Sequence, residues 1–322
     1  MEESIKEFSK QLAYNPVIEN KDNFVKKDKF ILCGMGGSHL AAGLIKMMRP
    51  GIELYVHRDY GLPPYDEDFL KNSLLIASSY SGNTEEVLDF LEEGYSKGYD
   101  MAVISTGGKL IDFAKENNIP YVKMPDDGIQ PRTALGYSSI ALSFVMDKQD
   151  CLDEIKSLED LIDSSKDENE GKNIAESLSG RIPVIYSSLQ NREIAYNWKI
   201  KMNETGKVPA FYNVIPELNH NEMQGFQIDK MDDSFKELFH VFLLKDKSDH
   251  VRNIKRMDVI QRLYEEQGIP VTEITLNGET VSDKFFKALF LADWIAIGIA
   301  KNKGIDPEKV PFIEDFKNRM LD

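Results

Sequence analysis

Hydroxyl side chains and a glycine crowd into one short stretch of the chain, Ser79-Tyr80-Ser81-Gly82-Asn83-Thr84. It follows an apolar run, Ser73 to Ser78, and opens an amphipathic segment that reaches Tyr95. Hydroxyls and free backbone N–H groups therefore collect where a strand ends and a helix begins. The first N–H groups of a helix lack intrahelical partners and the dipole there favours negative charge, so the natural guest is an anion. Three hydroxyls, with a glycine that permits close approach, point to a phosphate. No lysine stands in the loop, which excludes a nucleotide loop of the GxxxxGK[ST] type. A small phosphorylated metabolite is the better fit. A second turn, Gly34-Met35-Gly36-Gly37-Ser38, ends the run Phe30 to Cys33. Alone it could be only a tight connection, since glycine supplies unusual backbone angles without steric cost. Beside the first turn, it could cradle a sugar whose phosphate the first turn holds.

The elements that must position these turns follow a βα rhythm. Strands are expected at Phe30–Cys33, Glu53–Val56, Leu74–Ser78, Met101–Ser105 and Pro120–Lys123. Helices are expected over His39–Met48, Thr84–Tyr95, Lys109–Asn117 and Thr133–Met146. A second series has strands at Ile182–Ser187, Phe239–Leu244 and Pro270–Leu276, with helices over Arg192–Asn203 and Asp283–Lys301. This alternation predicts an α/β protein with doubly wound, flavodoxin-like parallel sheets. Ligands then sit at the carboxyl ends of the strands, beside a topological switch point. The polar stretch Asp150 to Gly171 reads as a linker or a solvated helix face. Ile185-Tyr186-Ser187-Ser188 faintly echoes Leu32-Cys33-Gly34-Met35, which suggests two similar halves, 1–150 and 151–322.

Bulk properties narrow the partners. The net charge is −15, so no basic face for nucleic acid is evident, and a phosphorylated substrate must be caught by local donors. Two cysteines, Cys33 and Cys151, exclude a disulfide framework and make the cytoplasm the expected compartment. The N-terminus has no signal-peptide core, and the apolar stretch Leu289–Ala300 is too short for a membrane span and carries Asp293. His39, His57, His240 and His250 are scattered, with no HxxxH or CxxC spacing, so no metal site is expected.

The two turns together resemble a sugar isomerase (SIS) domain, a phosphosugar-binding module. Gln130-Pro131-Arg132-Thr133-Ala134-Leu135-Gly136-Tyr137, Asn203-Glu204 and Glu217-Leu218-Asn219-His220-Asn221-Glu222 complete a more specific pattern. Over nearly the whole chain it is similar to the bifunctional phosphoglucose/phosphomannose isomerases of archaea and some bacteria, built from two SIS-like halves. The resemblance implies aldose–ketose isomerisation of glucose 6-phosphate, and of mannose 6-phosphate, with fructose 6-phosphate through an enediolate. Such chemistry needs a base, a cation near the developing oxyanion and a group that opens the sugar ring, but no cofactor.

Glu204 is the candidate base: it ends a helix just before Gly206, an expected C-cap, where the dipole disfavours a carboxylate and favours proton uptake. By position alone it reads better as a surface residue on a frayed helix end; the resemblance reverses that and assigns it the proton shuttle. Arg132, otherwise a surface cation, would neutralise the enediolate. His220 could simply pair with Glu217 or Glu222, but histidine suits proton exchange with a ring oxygen. The resemblance implies that it opens the ring and is contributed across a homodimer, giving composite sites. Ile313-Glu314-Asp315-Phe316-Lys317 resembles the segment that carries a second ring-opening residue, which would be Lys317; it reads equally as an ordinary solvated helix lysine. Gly36, Gly37, Ser38, Ser79, Ser81, Thr84 and Arg132 form the expected substrate site, with Ser79, Ser81 and Thr84 on the phosphate and Ser38 nearer the sugar.

Two other readings differ in class or substrate. A phosphosugar sensor would be expected to carry a helix-turn-helix, for which Met1–Lys29 leaves little room. An SIS isomerase of another sugar phosphate would be expected to bring an ammonia-generating or small regulatory domain, and neither is visible.

Overall fold

The computed structural model describes residues 1–227 and 233–320. The chain forms two compact units. The first holds Lys6–Asp163 with Thr280–Asp283; the second holds Met1–Ile5, Ser164–Glu279 and the chain from Lys284 onward.

The first unit is built on β1 (Ile18–Glu19), β2 (Lys29–Cys33), β3 (Glu53–His57), β4 (Ser73–Ser78), β5 (Met101–Ser105) and β6 (Tyr121–Lys123). Their order is β1-β6-β5-β4-β2-β3, parallel throughout except for β1, which pairs antiparallel with β6. β4 and β5 are buried at every residue, as expected of strands covered by helices on both faces. Their apolar side chains pack with Val87, Phe90 and Leu91 from the helix Glu85–Ser96 and Leu110, Ile111 and Ala114 from the helix Gly108–Glu116. From β2 the chain moves first to β3 on one side and then back to β4 on the other. The switch point therefore falls between β2 and β4.

The second unit repeats that plan with β7 (Ile182–Ser188), β8 (Phe211–Ile215), β9 (Phe239–Asp246) and β10 (Val271–Leu276), ordered β10-β9-β7-β8 and wholly parallel. Here the switch point lies between β7 and β9. The strand β8, the helix Val251–Glu266 and the edge strand β1 are additions to the sequence reading. The stretch expected as a linker or solvated face holds the helix Gln149–Lys156 and the start of the helix Glu168–Ser177.

The apolar segment around Asp293 belongs to the helix Val281–Asn302, and among the described residues no helix is long and apolar enough to cross a membrane. Asp293 is 4% exposed, and both its oxygens accept from Lys201 Nζ at 2.7 Å. Lys201 lies on the helix Arg192–Glu204, one turn before Glu204, so this pair fixes the end of the helix that carries the candidate base. Removing one partner leaves a buried charge uncompensated. Asp293→Ala should therefore lower the unfolding free energy by about 3–5 kcal/mol in chemical denaturation. A loss below about 1 kcal/mol would show that the pair contributes little.

Two histidines make stability depend on pH. His39 and His240 are 7% and 4% exposed, and burial first of all, helped by Arg58 and Arg181 respectively, lowers each imidazole from 6.5 to about 4. The unfolded chain takes up these protons below about 6.5, whereas the folded chain does so only near 4. Their contribution is thus complete above pH 6.5 and is lost as pH falls towards 4, by up to about 1.4 kcal/mol per pH unit for each group. Unfolding free energies measured between pH 7 and 5 should fall accordingly. The slope should flatten when both histidines are replaced by glutamine; an unchanged slope would exclude them as its source.

Candidate active site

In the first unit, the turns after β2 and β4 are bound to each other by their own serines. The Tyr80 amide donates to Ser38 Oγ at 2.9 Å, and Ser78 Oγ donates to the Ser38 carbonyl at 3.1 Å. Gly36 and Gly37 open the short 3-10 turn Gly36–His39, with Gly36 at φ +51°. A Cβ on Gly37 would lie 2.8 Å from the Arg132 amide nitrogen and 2.7 Å from the Pro131 carbonyl carbon. Only glycine lets the β2 turn and the Arg132 loop come this close.

The β4 turn is equally tight. Gly82 has φ +69°, and a Cβ there would fall 1.8 Å from the Gly107 carbonyl oxygen. Ser79 is 1% exposed; its hydroxyl shares a 2.7 Å hydrogen bond with Thr84 Oγ1 and accepts from the Gly82 amide at 3.2 Å. Ser81 is exposed, with its hydroxyl accepting weakly from the Asn83 amide at 3.4 Å. Thr84 precedes the helix Glu85–Ser96 but makes no side-chain cap, because its hydroxyl is engaged by Ser79. The first N–H groups of that helix thus keep no side-chain cap, beside an outward-facing Ser81. Arg132 is 2% exposed and donates to Gln130 Oε1 at 3.2 Å. All seven residues of the expected substrate site belong to this one unit.

Two supports escaped the sequence reading. A third turn, Ser105-Thr106-Gly107-Gly108, braces the β4 turn: Thr106 Oγ1 and the Thr106 amide both donate to the Tyr80 carbonyl, at 2.8 and 3.1 Å. Its Ser-Thr-Gly-Gly composition after a strand was a usable signal. Gln11, 3% exposed, donates to the Thr133 carbonyl at 2.8 Å and accepts from the Gly136 amide at 3.0 Å, fixing the end of the Arg132 loop. Nothing in the sequence around Gln11 announces this.

Glu204, His220 and Lys317 belong to the second unit. Glu204 is the last residue of the helix Arg192–Glu204 and half-buried, and the Lys207 ammonium caps its carbonyl oxygen. The left-handed residue that turns the chain is Lys207, at φ +53°, rather than Gly206. Gly206 is needed for space instead, since a Cβ would meet the Met202 carbonyl oxygen at 2.8 Å. His220 ends the 3-10 turn Glu217–His220, is exposed, and lines a cavity of about 350 Å³ with Phe226 and Tyr264. Lys317 stands on the helix Pro311–Arg319, which buries none of its residues.

The glutamates flanking His220 have other partners. Glu222 Oε1 accepts from the buried Tyr186 hydroxyl at 2.6 Å, and Oε2 accepts from Asn213 Nδ2 at 2.5 Å. Glu217 accepts from Asn221 Nδ2 at 2.8 Å. Pairing with His220 is therefore corrected: Glu222 bridges β7 and β8 and ties the His220 turn to the sheet. Burial, with Tyr264 and Glu222 nearby, raises the Tyr186 phenol far above its ordinary range, so it acts only as a donor here.

At the switch point of the second sheet the described side chains form a charged, mutually bonded cluster. Asn191 Nδ2, in the turn just after β7, donates to Ser188 Oγ, Asp246 Oδ2 and Asp249 Oδ1 at 3.1, 3.1 and 3.3 Å, and Lys284 pairs with Asp246 at 2.5 Å. Burial raises Asp249 above the usual carboxylate range. For Asp246 burial acts the same way but is outweighed by Lys284 and Ser248, which hold it below that range. Among the described residues no group of three or more His, Cys, Asp or Glu side chains is assembled to hold a metal ion.

Comparisons with known proteins place the chain among phosphosugar isomerases. Residues 167–320 match the family described as the bacterial phospho-glucose isomerase C-terminal SIS domain. The C-terminal domain of glucosamine-fructose-6-phosphate aminotransferase from Francisella tularensis has the same fold, with a TM-score of 0.69, 15% identity and 96% of each chain covered. A bifunctional phosphoglucose/phosphomannose isomerase from Caldicellulosiruptor bescii is 36% identical over 312 residues, covering 92% of this chain and 90% of that protein. One from Aquifex aeolicus is 33% identical, covering 90% of this chain and 89% of its own length. With two nested hydroxyl turns at a switch point and relatives matched over nine-tenths of their length, the chain belongs to the bifunctional phosphoglucose/phosphomannose isomerase family.

Proposed function

We propose that this protein is an aldose–ketose isomerase that interconverts glucose 6-phosphate and mannose 6-phosphate with fructose 6-phosphate. The observation that carries the reading is the cradle of Ser38, Ser79, Ser81 and Thr84 at the β2/β4 switch point, in a chain whose full-length relatives bear that name. The phosphate is held by Ser79, Ser81, Thr84 and the uncapped N–H groups of the helix Glu85–Ser96. Ser38 and the Gly36-Gly37 backbone face the sugar.

The reaction moves one proton between C1 and C2. Glu204 takes it from one carbon and returns it to the other, while the Arg132 guanidinium stabilises the negative oxygen of the enediolate. His220 exchanges a proton with the ring oxygen during opening, and Lys317 assists. Rotation of the enediolate about C2–C3 lets the same carboxylate reprotonate either face of C2, so one base serves both aldoses. No metal or organic cofactor enters this sequence. The protein works as a homodimer in which the partner supplies His220, and it acts in the cytoplasm, in keeping with two buried free cysteines.

The primary test is a coupled assay of EDTA-treated protein with fructose 6-phosphate, reading glucose 6-phosphate and mannose 6-phosphate separately. Both products are expected; neither appearing, with fructose 6-phosphate still bound, would refute isomerase activity. Glu204→Gln should lower kcat by about 10²–10⁴ with little change in the affinity for fructose 6-phosphate. A near-normal rate would remove Glu204 from the mechanism. Glu222→Ala releases the His220 turn from Tyr186 and Asn213 and should reduce kcat about tenfold or more while KM moves less than threefold, in the range of a lost buried charged hydrogen bond. Tyr186→Phe, which removes one of the two bonds, should fall between that variant and the parent. Equal kcat in all three would show that the bridge does not position His220.

A further inference from the structure

The helix Val251–Glu266 presents Arg252, Lys255 and Arg256 to one cavity of about 270 Å³, whose remaining lining is Asn219, Met223, Val259 and Ile260. The spacing i, i+3, i+4 puts the three cations on one face of the helix, where like charges repel. Among the described residues no carboxylate lines the cavity, and none of the three cations is in an ion pair. In a chain of net charge −15 this is a local inversion of sign. Arg256 is the half-buried member, and its Nη1 donates to Asn219 Oδ1 at 3.2 Å. Asn219 directly precedes His220 and also lines the neighbouring cavity that holds His220.

We infer that this cavity binds a small phosphate-bearing anion and that its occupancy is felt by His220. Arginine and lysine side chains supply the charged donors a phosphate needs, and Met223, Val259 and Ile260 give an apolar floor for a short carbon skeleton. A volume near 270 Å³ lies just below the usual range for ligand sites, which suits a molecule of sugar-phosphate size. An anion drawn to Arg252 and Lys255 also pulls on the Arg256 guanidinium. Because that group holds Asn219, the bound anion sets the turn that carries His220. The coupling rests on the proposed role of His220; the binding site does not.

Inorganic phosphate is the probe. Titrated calorimetrically into the full chain with fructose 6-phosphate saturating, it should still bind, since the β2/β4 cradle is then occupied. The double variant Arg252→Gln, Lys255→Gln should weaken this phosphate binding at least tenfold while leaving KM for fructose 6-phosphate unchanged. In the parent, phosphate should alter kcat at saturating sugar, and in the double variant it should not; Arg252→Lys should behave as the parent. Phosphate fully displaced by fructose 6-phosphate, or binding indifferent to the double substitution, would overturn the site. So would a lower sedimentation mass for the double variant, which would assign these cations to contact between copies of the chain. Absence of isomerase turnover together with persistent, Arg252/Lys255-dependent phosphate binding would refute the proposed reaction and leave the site standing.

Discussion

The hydrogen bond from the Tyr80 amide to the Ser38 hydroxyl exists because β2 and β4 are neighbours with nothing between them. That adjacency follows from the chain leaving β2 for one side of the sheet and returning on the other. Between β2 and β3, β4 and β5, and β5 and β6 a connecting helix crosses above the gap; at the switch point the chain leaves to opposite sides, which is where ligands bind in such sheets. The glycines then become obligatory. Gly37 admits the Arg132 loop and Gly82 admits the Gly107 carbonyl, so four loops from distant parts of the sequence meet at two approaches, each too close for a methyl group. The chemistry proposed for this unit depends on that close approach more than on any single hydroxyl.

How much of this could be read from the sequence was decided by burial. Strands covered on both faces write themselves as apolar runs, which is why Met101–Ser105 is found as expected and Leu74–Ser78 to within one residue. The strand Phe211–Ile215 is half-exposed along most of its length and includes Tyr212 and Asn213, so it lacks such a run. The helix Val251–Glu266 is largely polar because only one of its faces, around Met257, Ile260 and Tyr264, meets the core. β1 is two residues long and leaves no periodic trace.

The site divides in the same way. Hydroxyl turns are local, and local composition announces them. Gln11 serves Thr133 and Gly136 from more than a hundred positions away, and Glu222 reaches back to Tyr186; such partnerships exist only once the chain has folded. The exchange of roles between Gly206 and Lys207 is subtler. Glycine was expected for its backbone freedom, yet it is required for its missing side chain, and a lysine takes the left-handed conformation. Composition names the residue correctly in that case and gives the wrong reason for it.

The cluster at the switch point of the second sheet bears on how a protein made of two similar halves divides labour. Asn191, Asp246, Asp249 and Lys284 occupy the place that corresponds to the hydroxyl turns of the first sheet. An anion arriving there would meet two carboxylates, and the one ammonium is already engaged. The second unit has a like sheet plan whose switch point is filled by its own paired side chains, like a keystone. The hydroxyl turns belong to the first unit, and the Glu204 and His220 segments hang from a frame whose switch point serves rigidity.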